Sequence, residues 1–231
     1  MGIIPLDWDS EFFGLRIAKA VVSSEKDVVT LTQRARNLRK HFDLIYIFSE
    51  PVIDIPFENA RLVDSKVVFS TDHLREYEDC PAIVLWESPD VTDSLVSLAL
   101  VSGRRYSRFK TDFRLPAGSY ERLYTRWIEQ SVNKSIATEV FCYLMEGRPR
   151  GLLTLDRKNE LSTIGLVAVD EECQHQGIGT GLIRQAVSYV HKHGGERISV
   201  ATQLDNKPAC QLYSKCGFSL ESVTKIWHWW L

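Results

Sequence analysis

The chain has 231 residues, a formal net charge of −2, 44% hydrophobic and 25% charged residues. This is an ordinary globular composition, with no electrostatic case for nucleic acid or an anionic membrane as partner. No apolar run approaches the roughly 20 residues of a membrane span, and Met1-Gly2-Ile3-Ile4-Pro5 lacks the basic start and long apolar core of a secretion signal.

A myristoylation signal would need Ser or Thr where Leu6 stands. The five cysteines (Cys80, Cys142, Cys173, Cys210, Cys216) are scattered, odd in number and without metal-ligand spacing. They read as reduced thiols of a cytoplasmic protein that uses no metal. The length admits one large domain or two small ones.

Residues 1–80 read as a small α/β domain. Trp8, Phe12, Phe13 and Gly14 form an aromatic opening, and Leu15 to Val22 predicts a strand. Lys26 to His41 predicts a helix with Val28, Leu31, Ala35 and Leu38 on one face. Asp43–Phe48 and Val67–Ser70 are further strands. The run Asn59–Val63, then Lys66–Ser70, echoes Gly217–Glu221, then Lys225–Trp229. The N-terminal domain is thus expected to be a degenerate partial copy of the domain that follows, without its glycine-rich turn.

The second domain, 81–231, opens on the strand Ala82–Trp86. Asp90 or Thr92 caps a helix that Gly103 ends. Arg104 to Leu115 mixes Arg104, Arg105, Arg108, Lys110 and Arg114 with Tyr106, Phe109 and Phe113, and Ser119 to Val132 is a second helix. Val140–Met145 and Gly151–Asp156 form a hairpin turning at Gly147-Arg148-Pro149-Arg150, and Leu161–Val169 follows as a buried strand. Arg197–Gln203 is the next strand, Asn206–Cys216 a helix, and Phe218–Ser222 and Thr224–Trp230 two closing strands. The tryptophans at that end (Trp227, Trp229, Trp230) serve either a homodimer interface or the core, the core being favoured for Trp227 and Trp229.

The chemistry concentrates between the strand ending at Val169 and the helix carrying Leu182, Ile183, Ala186, Val187 and Val190. Gln174-His175-Gln176-Gly177-Ile178-Gly179-Thr180-Gly181 lies at that junction. A glycine turn opening a helix presents free N–H groups at the positive end of the helix dipole, which suits a phosphate or pyrophosphate. Gly177 and Gly179 would allow unusual backbone angles and close approach of a ligand, and Gly181 close packing. Glycines alone also simply make turns. No Gly-Lys-Ser/Thr follows, so the motif is not a P-loop, and Glu196 lies before the next strand instead of at its end, unlike a dinucleotide fingerprint.

Gln174-x-x-Gly177-x-Gly179, followed by Asn206-x-x-Ala209-x-x-x-Tyr213-x-x-x-Gly217-Phe218, resembles the GNAT superfamily of acetyl-CoA-dependent N-acetyltransferases. The resemblance implies an α/β (α+β) fold with a central mixed, mostly antiparallel sheet. It implies that Leu166, Val167, Ala168 and Val169 pair with the pantetheine arm of acetyl-CoA, that the turn from Gln174 to Gly181 holds the pyrophosphate, and that Asn206 positions the cosubstrate. A backbone N–H near Val167 would stabilise the developing oxyanion, and Tyr213 would protonate the leaving thiolate. Without the motif, Tyr213 would be an aromatic packed beside Phe218.

Ser107-Arg108-Phe109-x-x-Asp112, Tyr124-x-x-Trp127-Ile128 and Trp8-Asp9-x-Glu11-Phe12-Phe13-Gly14 make the full length similar to the dTDP-fucosamine acetyltransferases. That family acetylates the C4 amine of a dTDP-4-amino-4,6-dideoxyhexose. The resemblance implies a sugar-nucleotide acceptor read by Arg108, Tyr124 and Trp127, in polysaccharide biosynthesis. Arginines suit a diphosphate and aromatic rings a base or deoxysugar, though the same stretch also reads as a basic surface loop. Glu139, Asp156, Glu160 and Asp170 are available as general base by position, but each reads more simply as a solvated surface charge, and none stands out. The alternatives are acetylation of another small amine or antibiotic, acetylation of a protein N-terminus or side chain, and a non-catalytic coenzyme A-binding module.

Overall fold

In the computed structural model, which describes residues 2–231, a short strand β1 (Ile3–Pro5) leads into α1 (Asp7–Phe13). The aromatic opening is therefore helical, ended by Gly14 in the left-handed region at φ 67°. Then follow β2 (Ile17–Val22), α2 (Glu25–Leu38), β3 (Leu44–Ser49) and β4 (Ala60–Thr71). Ser24 caps α2 by accepting the Asp27 N–H. Next come β5 (Ile83–Leu85), α3 (Asp93–Gly103) capped by Thr92, α4 (Arg108–Thr111) and α5 (Ser119–Val132). The chain closes with β6 (Glu139–Met145), β7 (Arg148–Lys158), β8 (Leu161–Val169), α6 (Ile178–Lys192), β9 (Arg197–Gln203), α7 (Lys207–Lys215) and β10 (Ser219–Trp230). The predicted hairpin is β6–β7, and the two predicted closing strands are one. A bulge at Glu221, where the register against β4 slips between Leu220 and Ser222, bends that strand without breaking it.

All ten strands form one sheet in the order β1-β2-β3-β10-β4-β9-β8-β7-β6-β5. Its pairings are antiparallel except β2 with β3 and β8 with β9. Strand β4, from the first 80 residues, lies between β10 and β9, so the sheet runs without a break across residue 80. On one face, Leu95, Leu98, Leu123 and Ile128 of α3 and α5 bury against Ile17, Leu44, Val140 and Leu152. On the other, α6 and α7 cover Val67, Leu153, Ile164 and Val200, while Leu31 of α2 packs on Ala18, Ile45 and Trp229. Trp229 is a core residue, 2% exposed, and Trp227 is half-buried with its indole N–H donating to Ser49 Oγ.

The exchange of closing strands gives the sheet an approximate two-fold axis. The unit β2–α2–β3 sends its closing strand β4 to pair with β9, and β8–α6–β9–α7 sends β10 to pair with β3. β4 and β10 then pair with each other along the axis, with Ser65 opposite Lys225 and Lys66 opposite Thr224. Each closing strand is preceded by a left-handed residue, Asn59 at φ 65° and Gly217 at φ 87°.

Candidate active site

The site begins with a defect in the sheet. Between β7 and β8 the register passes from Leu153↔Val167 to Leu155↔Ile164, so Gly165 and Leu166 together oppose Thr154. Thr154 Oγ1 accepts the Leu166 N–H at 2.8 Å, and a Cβ on Gly165 would lie 2.7 Å from that hydroxyl. A bulge of this kind bends its strand. The parallel pairing of β8 with β9 accordingly ends at Ile164↔Val200, and beyond it the strands separate. A cavity of about 550 Å³ opens there, lined on one side by Gly165–Val169 and on the other by Ala201–Gln203. The predicted residues Leu166, Val167, Ala168 and Val169 are all on its wall.

The turn after β8 forms one end of this cavity. Gln174 Nε2 donates to the Val169 carbonyl at 3.2 Å, His175 is left-handed at φ 62°, and Gly177 caps α6 at φ 83°. No side chain caps α6, so its first N–H groups are left for a ligand. Gln174, His175, Gly177, Ile178, Gly179 and Thr180 line the cavity. Gln176 is exposed and does not. Gly179 differs from expectation: it lies within α6, and its missing side chain makes room for Leu212, whose Cδ2 a Cβ would meet at 3.3 Å. Gly181 is a packing glycine, facing Ile83 Cδ1 at 3.2 Å.

Helix α7 closes the opposite wall. Asn206 caps it, its Oδ1 accepting the Ala209 N–H and its Nδ2 donating to Thr202 Oγ1, both at 3.3 Å. Two turns later Tyr213, 4% exposed, faces the cavity between Phe69 and Phe218. Burial pushes its phenol well above the ordinary value, so it is a protonated donor at any physiological pH.

Arg108, Tyr124 and Trp127 reach the same cavity from the other face of the sheet. Tyr124 packs on Gly103, where any side chain would overlap the phenol ring. Trp127 meets Phe109 edge-on at 6.1 Å. The Arg108 guanidinium lies over Phe109 at 4.4 Å and Tyr46 at 5.1 Å, and its Nε is buried without a partner. The other cations of that stretch do not line the cavity: Arg104 pairs with Glu171 and Arg114 with Asp112. Asp112 is fully buried, bonded to His228 Nδ1 at 2.7 Å and to the Trp230 indole N–H at 2.9 Å, and it ties the α4 segment to β10. Burial alone would raise its pKa, but the hydrogen bonds from His228, Trp230 and the Arg114 N–H bring it far below the usual range. Burial lowers the pKa of His228 in turn.

Two charged wall residues escaped sequence reasoning, Asp64 and Lys66 of β4. Burial pushes the Asp64 carboxyl up to about 6, against the attraction of Arg108 and Lys66, and its Oδ1 has no partner. The Lys66 ammonium is lowered, by burial first and by Arg108 next. Lys66 opens the segment Lys66–Ser70 echoed in Lys225–Trp229, which marks a repeat and says nothing of a site, and Asp64 lies outside the echo. Glu139 pairs with Lys134, Asp156 with Lys158, and Asp170 with Arg150; none of the three, nor Glu160, lines the cavity.

Comparison with known proteins agrees with this geometry. Residues 106–218 match the family described as Acetyltransferase (GNAT) family. The dTDP-fucosamine acetyltransferase of Escherichia coli is 26% identical over 97% of this chain and 96% of its own length. An uncharacterised N-acetyltransferase of Methanocaldococcus jannaschii is 28% identical over 46% of this chain and 50% of its own. Among solved structures, a GCN5-related N-acetyltransferase from Sphaerobacter thermophilus shares the fold with a TM-score of 0.62 at 12% identity, over 98% of this chain and 75% of its own. The separated parallel strands, the glycine turn opening α6 and the family match together show that the chain carries an acetyltransferase domain of the GNAT family.

Proposed function

We propose that the chain acetylates the amine of a nucleotide-linked amino sugar of the dTDP-4-amino-4,6-dideoxyhexose type. One observation carries this reading. The acceptor end of the cavity is built jointly by β4, from the first 80 residues, and by α4 and α5, and the likeness to the dTDP-fucosamine acetyltransferase runs along both stretches.

Acetyl-CoA supplies the activated acetyl group as a thioester. The free edge of Leu166–Val169 fits its amide-bearing arm, and the uncapped start of α6 with Gly177 fits its pyrophosphate. Asn206 holds the wall between β9 and α7. Asp64, raised to about 6, is ionised at neutral pH and retains basicity. It accepts the proton that the acceptor ammonium must lose before its nitrogen can attack. Tyr213, kept protonated by its burial, donates to the departing sulfur.

Thiol release from acetyl-CoA tests the reading, with dTDP-4-amino-4,6-dideoxyhexoses scanned beside the same amino sugars without nucleotide, polyamines and a peptide. Turnover confined to the dTDP-linked sugars is expected. Turnover confined to the peptide or the polyamines would overturn the choice of acceptor and leave the acetyl-transfer site standing.

A further inference from the structure

Lys66 and Arg108 line the acceptor end of the cavity, Lys19 lies near Lys66, and among the described residues none of the three is held in an ion pair. Lys19 of β2, Lys66 of β4 and Arg108 of α4 come from three separate elements. The half-buried Lys66 ammonium is lowered by burial, then by the charges of Arg108 and Lys19. Lys19 lies over the Phe48 ring at 4.4 Å, and Arg108 over Tyr46 and Phe109. The neighbouring cations have carboxylate partners: Lys225 pairs with Asp54, Arg114 with Asp112 and Arg104 with Glu171. Among the described residues, Lys19, Lys66 and Arg108 form no ion pair.

Holding like charges together in a half-buried place costs free energy that an anion would recover. The facing acid is Asp64, with Asp9 behind Arg108 and Asp205 beside Asp64. Three cations against Asp64 and Asp9 leave a local excess of about one positive charge, a field that favours an anion such as the diphosphate of a sugar nucleotide. Asp64 and Lys66 are alternate residues on one face of β4, about 7 Å apart along the strand, so the acid and the ammonium line the same cavity side by side.

We propose that Lys19, Lys66 and Arg108 form the binding site for the diphosphate of the acceptor, with Phe48 as an apolar platform beside it. This rests on the sugar-nucleotide reading above and assigns the recognition of the acceptor's anion largely to the N-terminal strands. The basic stretch 104–114 contributes only Arg108.

The test is a calorimetric titration of the full chain, saturated with coenzyme A to occupy the cofactor turn, with inorganic pyrophosphate and with dTDP. Wild type is expected to bind dTDP, with affinity reduced about tenfold in Lys66→Gln and again in Lys19→Gln, and unchanged in Arg126→Gln, which removes an exposed charge on α5. Equal affinity in wild type and Lys66→Gln, or no binding to the coenzyme A-saturated wild type, would overturn the site. In turnover assays, Lys66→Gln should raise KM for the dTDP-linked sugar about tenfold. It should spare KM for the same sugar without nucleotide. A site that passes the titration while no sugar nucleotide is acetylated leaves the anion site intact and removes the acceptor reading instead.

Discussion

The two halves of the sheet set a closed parallel pair beside an open one. In β2–α2–β3, all six residues of β2 pair with β3, from Ile17↔Leu44 to Val22↔Ser49. In β8–α6–β9, only Leu161 to Ile164 pair with β9, and the last five residues of β8 have no partner on that side. The crossover helices differ in the same sense. A serine cap consumes an N–H at the start of α2, whereas α6 starts on an uncapped Gly177. The same strand–helix–strand plan thus yields a packed wall in one unit and an open cavity in the other. The difference comes from one bulge opposite Thr154 and one glycine turn. The closed unit still serves the site, because its exchanged strand β4 carries Asp64 and Lys66 into the open unit's cavity.

The largest expected effect breaks that contribution. Asp64→Asn should lower kcat/KM for the amine acceptor about 10²–10³-fold while leaving acetyl-CoA affinity within a factor of two or so. Wild-type kcat/KM should fall as pH drops through about 6, where Asp64 takes up its proton, and the variant should lose that limb. Stability moves in a direction a merely structural residue would not share. A carboxyl raised on folding binds more protons in the native state, so its ionisation opposes folding as pH rises from about 4 towards 6 and beyond. Asp64→Asn is therefore expected to raise Tm at pH 8 and to leave it nearly unchanged at pH 4. An unaltered pH–rate profile would remove Asp64 from the chemistry.

Tyr213→Phe comes next. It deletes one phenol oxygen and keeps the ring between Phe69 and Phe218. Turnover should fall about 10²-fold with acetyl-CoA affinity unchanged, and normal turnover would show that Tyr213 only packs.

These two residues mark the limits of what the sequence discloses. Tyr213 was found through the family resemblance, and its place on the cavity wall was legible because the spacing from Asn206 fixes a cap and one side of a short helix. Gly177 was legible for the same reason, since a glycine between a strand and a helix is where a positive φ is needed. Gly179 was legible in part: it lines the cavity, but its helical backbone and its contact with Leu212, 33 positions away, are carried by no local pattern. Asp64 was invisible: its burial depends on β4 slipping between β9 and β10, a pairing of strands about 130 residues apart in the chain. The single strand β10 was divided in two at Glu221 because a bulge interrupts the alternation of buried and exposed residues. Arg108, Tyr124 and Trp127 were found through a resemblance, and their shared cavity is a consequence of the fold.

Thr154→Val would sharpen the comparison by removing the hydroxyl that holds the bulge. The Leu166 N–H would lose its acceptor at a buried position, a cost of about 1–3 kcal/mol. Because the bulge separates β8 from β9, acetyl-CoA should bind about tenfold more weakly, with kcat at saturation less affected. A loss of stability with unchanged acetyl-CoA affinity would show that the strands stay apart for another reason.

The smallest effect is expected in the closed unit. Ser24 Oγ accepts the Asp27 N–H and donates to Asp27 Oδ2, and Asp27 Oδ2 also accepts the Ser23 N–H, so the start of α2 is satisfied from within. Ser24→Ala should cost about 1 kcal/mol and lower Tm by roughly 2–4 °C. Acetyl-CoA affinity and kcat should not change, since α2 packs on Ala18, Ile45 and Trp229, away from the cavity. If the closed unit is a scaffold that acts on the site only through β4, fraying its helix must be silent in catalysis while Asp64→Asn is not. A change in acetyl-CoA affinity on Ser24→Ala would instead mean that the two halves of the sheet are coupled through β3 and β10, and that the closed pair helps to hold the open one apart.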